Sequence, residues 1–415
     1  MPDPYGKPSK ADEPLTQGEK GDLRADAGVL IQQRRAVSVA FLAFGIVGGS
    51  FVPRLPAVKD HLHLTDGQVG DALLIMALGA VVGATVARFL LGSGARRFVR
   101  AGTPVLAAAL VTLGLAANLQ QLVVVMFLNG LCAGVLDVLE NAQGAELERL
   151  AARPLINGFH AFWSLGAVVG ALMAAVAAYF VIAPVAHFAA VAAVVAVASA
   201  WFLRDLPNTR SGAARVAPPG AGRLWLTGPV VAVSVVSLAG FLVEGGTADW
   251  STLYLRDLSH VNPGVAAAGY GGFMLAAMLT RFRADRLTAR TSTVIVVRLG
   301  ALLAAGGLVL AVSFPALGGA ATGFALAGIG TAVILPLAFA AGANLGASGT
   351  ALAVVMSSGY AGSVLGPALI GHTADHFGLR VAMLIPLAGA LTIALLAGNL
   401  RPAPQPTEPI PTPAG

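Results

Sequence analysis

The heptapeptide LGAVVGA occurs twice, letter for letter, at Leu78–Ala84 and again at Leu165–Ala171. Each copy holds a GxxxG pair, Gly79/Gly83 and Gly166/Gly170, the pattern that lets helix backbones approach closely inside a bilayer. Around both copies the chain is apolar for long enough to cross a membrane, which takes about 20 residues. Such runs recur near 36–56, 67–90, 102–119, 121–144, 156–180, 183–203, 226–254, 264–281, 292–313, 316–343, 349–371 and 379–399. Twelve spans place the two copies in the second and fifth, corresponding members of consecutive three-helix units. A shorter echo, GYGG at Gly269 and GYAG at Gly359, falls in spans eight and eleven, again three apart. Nested three-helix repeats within six-helix halves are a transporter architecture.

Composition agrees. Of 415 residues 56% are hydrophobic and only 11% charged, against about 25% charged in soluble proteins. The fold class expected is therefore an all-α polytopic membrane protein with twelve transmembrane helices in two pseudo-symmetric six-helix bundles. Residues 34–203 read as the N-terminal bundle and 225–400 as the C-terminal one. Between them RDLPNTRSGAARVAPPGAGR, Arg204–Arg223, is the only long polar stretch away from the ends, and its Pro/Gly/Arg content makes 204–224 a linker. Residues 1–33 carry no apolar core of the signal-peptide kind and read as a disordered cytoplasmic tail. The proline-rich 401–415 reads as a second tail.

Twelve spans put both ends on one side. With that side cytoplasmic, 22 of the 26 Lys and Arg residues lie inside, leaving Arg54, Lys59, Arg256 and Arg380 outside. That asymmetry obeys the positive-inside rule, and it accounts for the net charge of +6 without nucleic acid as a partner. Glycine, alanine and arginine bias suggests a bacterial cytoplasmic membrane. A single cysteine, Cys132, excludes an intrachain disulfide or a cysteine metal cluster. No Walker loop and no nucleophile–base arrangement stands out, so neither an ATP-driven motor nor an enzyme is expected. His372 and His376 beside Asp375, like His61 and His63, lack a second ligand set. No metal or cofactor is expected.

The layout resembles the major facilitator superfamily over its full transmembrane length. Its cytoplasmic signature after spans two and eight, a glycine then Asp-Arg then further basic residues, is partly kept as RFRADRLTAR, Arg281–Arg290. The resemblance makes Arg281, Asp285 and Arg286 a cytoplasmic gate. The other copy, RFLLGSGARRFVR at 88–100, keeps Gly92, Gly94, Arg96 and Arg97 but lacks the acid. More closely, FVPRLPAVKDHLHLTDGQVGDALL, LDVLENAQGAELE, RPLINGFHAFWSLGAVVGA and TADWSTLYL are similar to the fucose-permease-like branch. There the fourth span carries an acid followed four residues on by asparagine, the spacing of Asp137 and Asn141. The resemblance implies proton or substrate coupling at Asp137 and a substrate-side or gate role for Arg54.

The residues themselves point the same way. At 100° per residue Asp137 and Asn141 lie about 40° apart, with Glu140 about 60° to the other side. They form a polar arc of the kind that faces an aqueous cavity, since an acid exposed to lipid costs roughly 2.5–3.5 kcal/mol. Glu146, Glu148 and Arg149 fall beyond it in a solvated loop. Span five opens with Asn157, His160 and Ser164 on one face. His160, at a depth close to Asp137, reads as a proton relay, and Trp163 as a stacking surface for a sugar-like ring. In span seven Glu244 precedes Gly245-Gly246, a pair expected to bend the helix. Asp249 and Trp250 follow as cavity or interface residues. Pro336 and Gly366-Pro367 are expected to kink spans ten and eleven.

The function expected is secondary transport by alternating access, with Asp137, Glu140, His160 and Glu244 as the proton-coupling set. Asn141, Asn157, Trp163, Ser164, Arg54, Asp249 and Trp250 are expected at the substrate. The partners are a small polar, sugar-like molecule, protons and the bilayer, acting on a monomer. Export of a hydrophobic or cationic compound is the alternative within transport, and a non-transporting sensor or scaffold the alternative outside it.

Overall fold

A computed structural model describes residues 17–91, 94–151, 153, 155–207, 227–345 and 350–400, and of 17–27, 157, 285 and 289 the backbone alone. The first pass is built from α1 (Gln17–Phe51), a 3-10 turn (Val52–Arg54) and α2 (Leu55–His61). Passes two to six are α3 (Asp66–Leu90), α4 (Ala95–Leu115), α5 (Leu119–Ala151), α6 (Ile156–Tyr179) and α7 (Pro184–Phe202). Then come α8 (Gly228–Ser259), α9 (Pro263–Arg290) and α10 (Thr293–Ser313). The tenth pass is α11 (Leu317–Thr331) with α12 (Ile334–Asn344), the eleventh α13 (Thr350–Phe377), the twelfth α14 (Leu379–Ala382) with α15 (Leu384–Leu396). All twelve passes are long and apolar enough to span a bilayer. Their outer faces expose Phe89, Leu172, Val197 and Leu395, a surface suited to lipid. The protein is an all-α, twelve-span membrane protein.

Caps and prolines set the boundaries. Thr65 and Gln68 form a reciprocal capping box at the start of α3, bonding at 3.2 and 3.0 Å. Asn262 caps α9 through Gly264 N–H at 2.8 Å with Pro263 at the first position. A proline ring clashes with the carbonyl four residues back. Pro336 breaks the tenth pass at Ala332–Val333 and Pro386 the twelfth at Met383. The second break was not expected from the sequence, whereas α13 stays continuous through Pro367.

Three expectations are corrected. Helix α1 starts at Gln17, so 17–33 is helical rather than a disordered tail. Helix α5 continues to Ala151, placing Glu146, Glu148 and Arg149 in its last turns, where Arg149 pairs with Glu146 at 2.6 Å. Helix α4 begins at Ala95, and its Arg96, Arg97 and Arg100 lengthen it beyond the apolar run because long basic side chains reach out of the hydrocarbon. The tail residues 1–16 and 401–415 and linker residues 208–224 lie outside the described residues.

The repeated heptapeptides do equivalent work. A Cβ on Gly79 or Gly83 would run into the carbonyl oxygen of Phe127 or Leu131, and one on Gly130 or Gly134 into that of Met76 or Ala80. Thus α3 and α5 lie backbone to backbone. Three spans on, Gly166 and Gly170 meet the carbonyls of Leu42 and Ile46, and Gly45 and Gly49 those of Trp163 and Ala167. That joins α1 to α6 in the same way.

Candidate functional site

Helix α5 is unbroken, so Asp137 stands roughly 27 Å along it at 1.5 Å per residue, and its side chain is exposed. Asn141 donates to the Asp137 carbonyl oxygen at 2.8 Å and to Oδ1 at 3.2 Å. Among the described residues no cation lies within salt-bridge distance of Asp137. Tyr360 of α13, 47% exposed, looks across from the other bundle, near enough to feel the Asp137 charge.

The expected single polar arc is split. Glu140 is only 1% exposed, with Oε1 unpartnered and Thr103 of α4 as its neighbour. A 60° turn about α5 carries the side chain away from the exposed Asp137 face and into the contact with α4. Glu140 therefore does not share the exposed face of Asp137.

On α6, His160 is exposed and set edge-on to Phe41, ring centroids 5.3 Å apart. It is not beside a carboxylate as expected: its charged neighbour is Arg281, in the opposite bundle. Trp163 is half-buried, and Ser164 is buried, donating to the His160 carbonyl at 3.1 Å. The Asn157 side chain lies outside the described atoms.

The C-terminal bundle supplies an ion pair that sequence reading assigned to two separate roles. Arg281 Nη2 donates to Glu244 Oε1, and its Nε lies 3.4 Å from the Ala332 carbonyl oxygen. Ala332 sits four residues before Pro336, so its carbonyl is the one the proline leaves without a helical donor. Arg281 is thus drawn into the site instead of the basic gate, where Arg286 is exposed and the Asp285 side chain is not described. Replacing Glu244 with glutamine removes one partner of this partly exposed ion pair, a loss of about 1–2 kcal/mol. A double exchange, Glu244→Gln with Arg281→Gln, should recover most of it, as thermal unfolding of the purified variants would show.

Helix α8 runs uninterrupted through Gly245-Gly246, so Glu244 and Asp249 keep different faces. Trp250 has 0% exposure and its ring packs 3.1 Å from where a Gly371 Cβ would stand. It is packed against α13 and presents no exposed face to the site. Arg54 is also removed from this site, buried in the 3-10 turn after α1. Sequence reading missed Tyr360, with Phe241 at 5.7 Å and Phe339 beyond it. The signal was present in the GYAG echo, which was read for helix contact only.

The two ends of the molecule differ. One, the basic end, is where α1 starts and α15 finishes; the far end is where α3 starts and α13 finishes. The polar ties between bundles gather at the far end. Arg256 donates to Asp60 at 2.7 Å and to the Pro56 carbonyl at 2.9 Å, Thr65 to Asp375 at 2.8 Å, and His372 meets Asp71 at 2.9 Å. Gly70 lies so close to α13 that a Cβ would come within 3.1 Å of Ala368 Cα. Of the residues considered for a metal, His372 and Asp375 thus serve as inter-bundle ties, and among the described residues no group of three ligands converges.

Comparison with known proteins settles the family. The sequence model of the Major Facilitator Superfamily matches residues 37–347. The chain belongs to the major facilitator superfamily. Among relatives of this superfamily member, an uncharacterised transporter of Sinorhizobium fredii, y4wD, is 34% identical over 380 residues, covering 90% of this chain and 99% of its own. Membrane protein MosC of Rhizobium meliloti is 29% identical, covering 86% of this chain and 88% of its own. Solved structures share the fold at low identity. A variant of the nucleoside transporter NupG superposes with a TM-score of 0.74 at 12% identity, over 90% of this chain and 99% of that one. An inward-facing bacterial homologue of the lysosomal transporter Spinster gives 0.69 at 14%, over 91% and 99%. This superfamily member is a membrane transporter.

Proposed function

We propose that this transporter moves a small hydroxylated, sugar-like molecule across the cytoplasmic membrane by alternating access, coupled to protons through Asp137. The observation that carries the reading is the exposed Asp137, deep in a helix and free of any cationic partner among the described residues. A mid-span acid facing an aqueous cavity is the usual site of proton exchange in transporters. Asn141 supplies an amide for hydroxyl groups, and Tyr360, Phe241 and Trp163 supply ring faces. His160 faces Arg281 across the bundles, where it would sense the approach of the two halves. Glu140 sits behind Asp137 as a second acid reachable only from within the N-terminal bundle. With the basic end cytoplasmic, the far-end ties close the external side, and the cavity opens inward.

One measurement tests the coupling. Proteoliposomes containing the transporter and internal pyranine are challenged with a panel of monosaccharides and polyols. At least one should change internal pH on addition, in proportion to its uptake. Uptake of a panel member with no pH change would overturn proton coupling. The lone carboxylate also suits an organic cation, and transport of ethidium in place of every sugar would favour that reading.

A further inference from the structure

A second site lies outside the cavity just described, at the far end between the bundles. The segment FVPRLPAVKD turns sharply because Pro53 and Pro56 bracket Arg54, giving the 3-10 turn Val52–Arg54 and then α2. The turn tucks the Arg54 side chain under the connection between α6 and α7, where Nη2 donates to the Ile182 carbonyl. Val181, just before, has φ of 55°, a genuine outlier for a β-branched residue. Strain of this kind persists where the surroundings impose it, often at ligand sites.

Arg54 is only 3% exposed, and its Nε has no partner. Among the described residues no carboxylate lies within salt-bridge distance of it. One neutral carbonyl does not compensate a buried guanidinium, and buried charges are ordinarily paired. His187, within electrostatic reach of Arg54, is 4% exposed with both ring nitrogens unpartnered. The Arg54 Nε–H and the His187 ring are thus buried near each other without a hydrogen-bond partner.

Arg54 borders a chamber of about 230 Å³. Its other walls are largely apolar: Pro53, Pro56, Ala57 and Ile182 from the N-terminal bundle, Pro263 and Ala266 from the C-terminal one. Arg256 also borders it but is already paired with Asp60 and Asp257. The chamber thus combines one uncompensated positive charge with apolar walls. We propose that it binds a small monocarboxylate, the anionic group held by Arg54 and the apolar body by the surrounding prolines and alkyl side chains. A phosphate-like dianion finds too few donors here, and a halide leaves the apolar walls unused. Because both bundles contribute walls, the occupant binds best while the far end is closed, and it holds the transporter in that state by differential affinity.

The test uses the full-length transporter in nanodiscs at constant pH, with sodium benzoate as probe, benzamide as its uncharged counterpart and sodium chloride as ionic-strength control. Benzoate should raise the unfolding temperature, and benzamide and chloride should not. Arg54→Gln should weaken benzoate binding at least tenfold, and Arg54→Lys should fall between. Ala57→Phe, which fills the chamber and leaves Arg54 in place, should abolish binding and keeps the test alive if Arg54→Gln fails to fold. Benzoate binding should survive Asp137→Asn, which separates this site from the proton-coupled cavity. Equal shifts by benzoate and chloride would overturn the proposal. So would benzoate affinity unchanged in Ala57→Phe, or lost in Asp137→Asn and kept in Arg54→Gln.

Discussion

Asp137→Asn should abolish substrate accumulation driven by a pH gradient in proteoliposomes, a loss of a hundredfold or more, while the protein stays folded. The exchange is close to isosteric and removes only the proton site. The Asn141 bond to the residue-137 carbonyl, 2.8 Å long, belongs to the backbone and survives. No salt bridge is lost, since Asp137 has none among the described residues. Exchange of labelled for unlabelled substrate without a gradient needs no net proton movement, so it should persist in the variant. Accumulation at the wild-type level would remove Asp137 from the coupling step. Loss of exchange together with accumulation would move it to substrate binding instead.

Gly134→Val should cost the protein its fold. The added Cβ would overlap the Ala80 carbonyl oxygen and come within 2.8 Å of Ala80 Cα. These are backbone atoms of a helix pinned at three further glycines, so no side chain can swing aside. Overpacking ordinarily costs about 1–3 kcal/mol, and here α3 and α5 must part along their length, so the loss should reach the upper end or beyond. Size-exclusion profiles after detergent extraction should show aggregate in place of the monodisperse peak. Gly306→Val is the matched control, because nothing lies within 4 Å of its Cβ position, and it should behave as wild type. A monodisperse Gly134→Val would contradict the backbone contact.

Much of the fold was legible because membrane passes are written in long apolar runs, and no span was missed. The helix ends were less legible: Arg96 and Arg149 look like loop by charge, yet long side chains let helices run past the hydrocarbon. The site was readable along single helices and opaque between them. Asp137 with Asn141 follows from four-residue spacing. The turning of Glu140 toward α4, the pairing of Arg281 with Glu244 and the burial of Trp250 all depend on which helix is the neighbour. Tyr360 was passed over because its short motif was read as a contact between backbones, although the tyrosine within it stands exposed across from Asp137.

The tenth pass carries a consequence for anyone redesigning this transporter. Its two segments meet where Pro336 withholds a backbone donor, and a guanidinium from α9 stands at the freed Ala332 oxygen. The joint is therefore clasped by a side chain whose other end grips Glu244. An exchange that retunes cavity charge at Arg281 also loosens that articulation, so selectivity and turnover at this position cannot be adjusted independently.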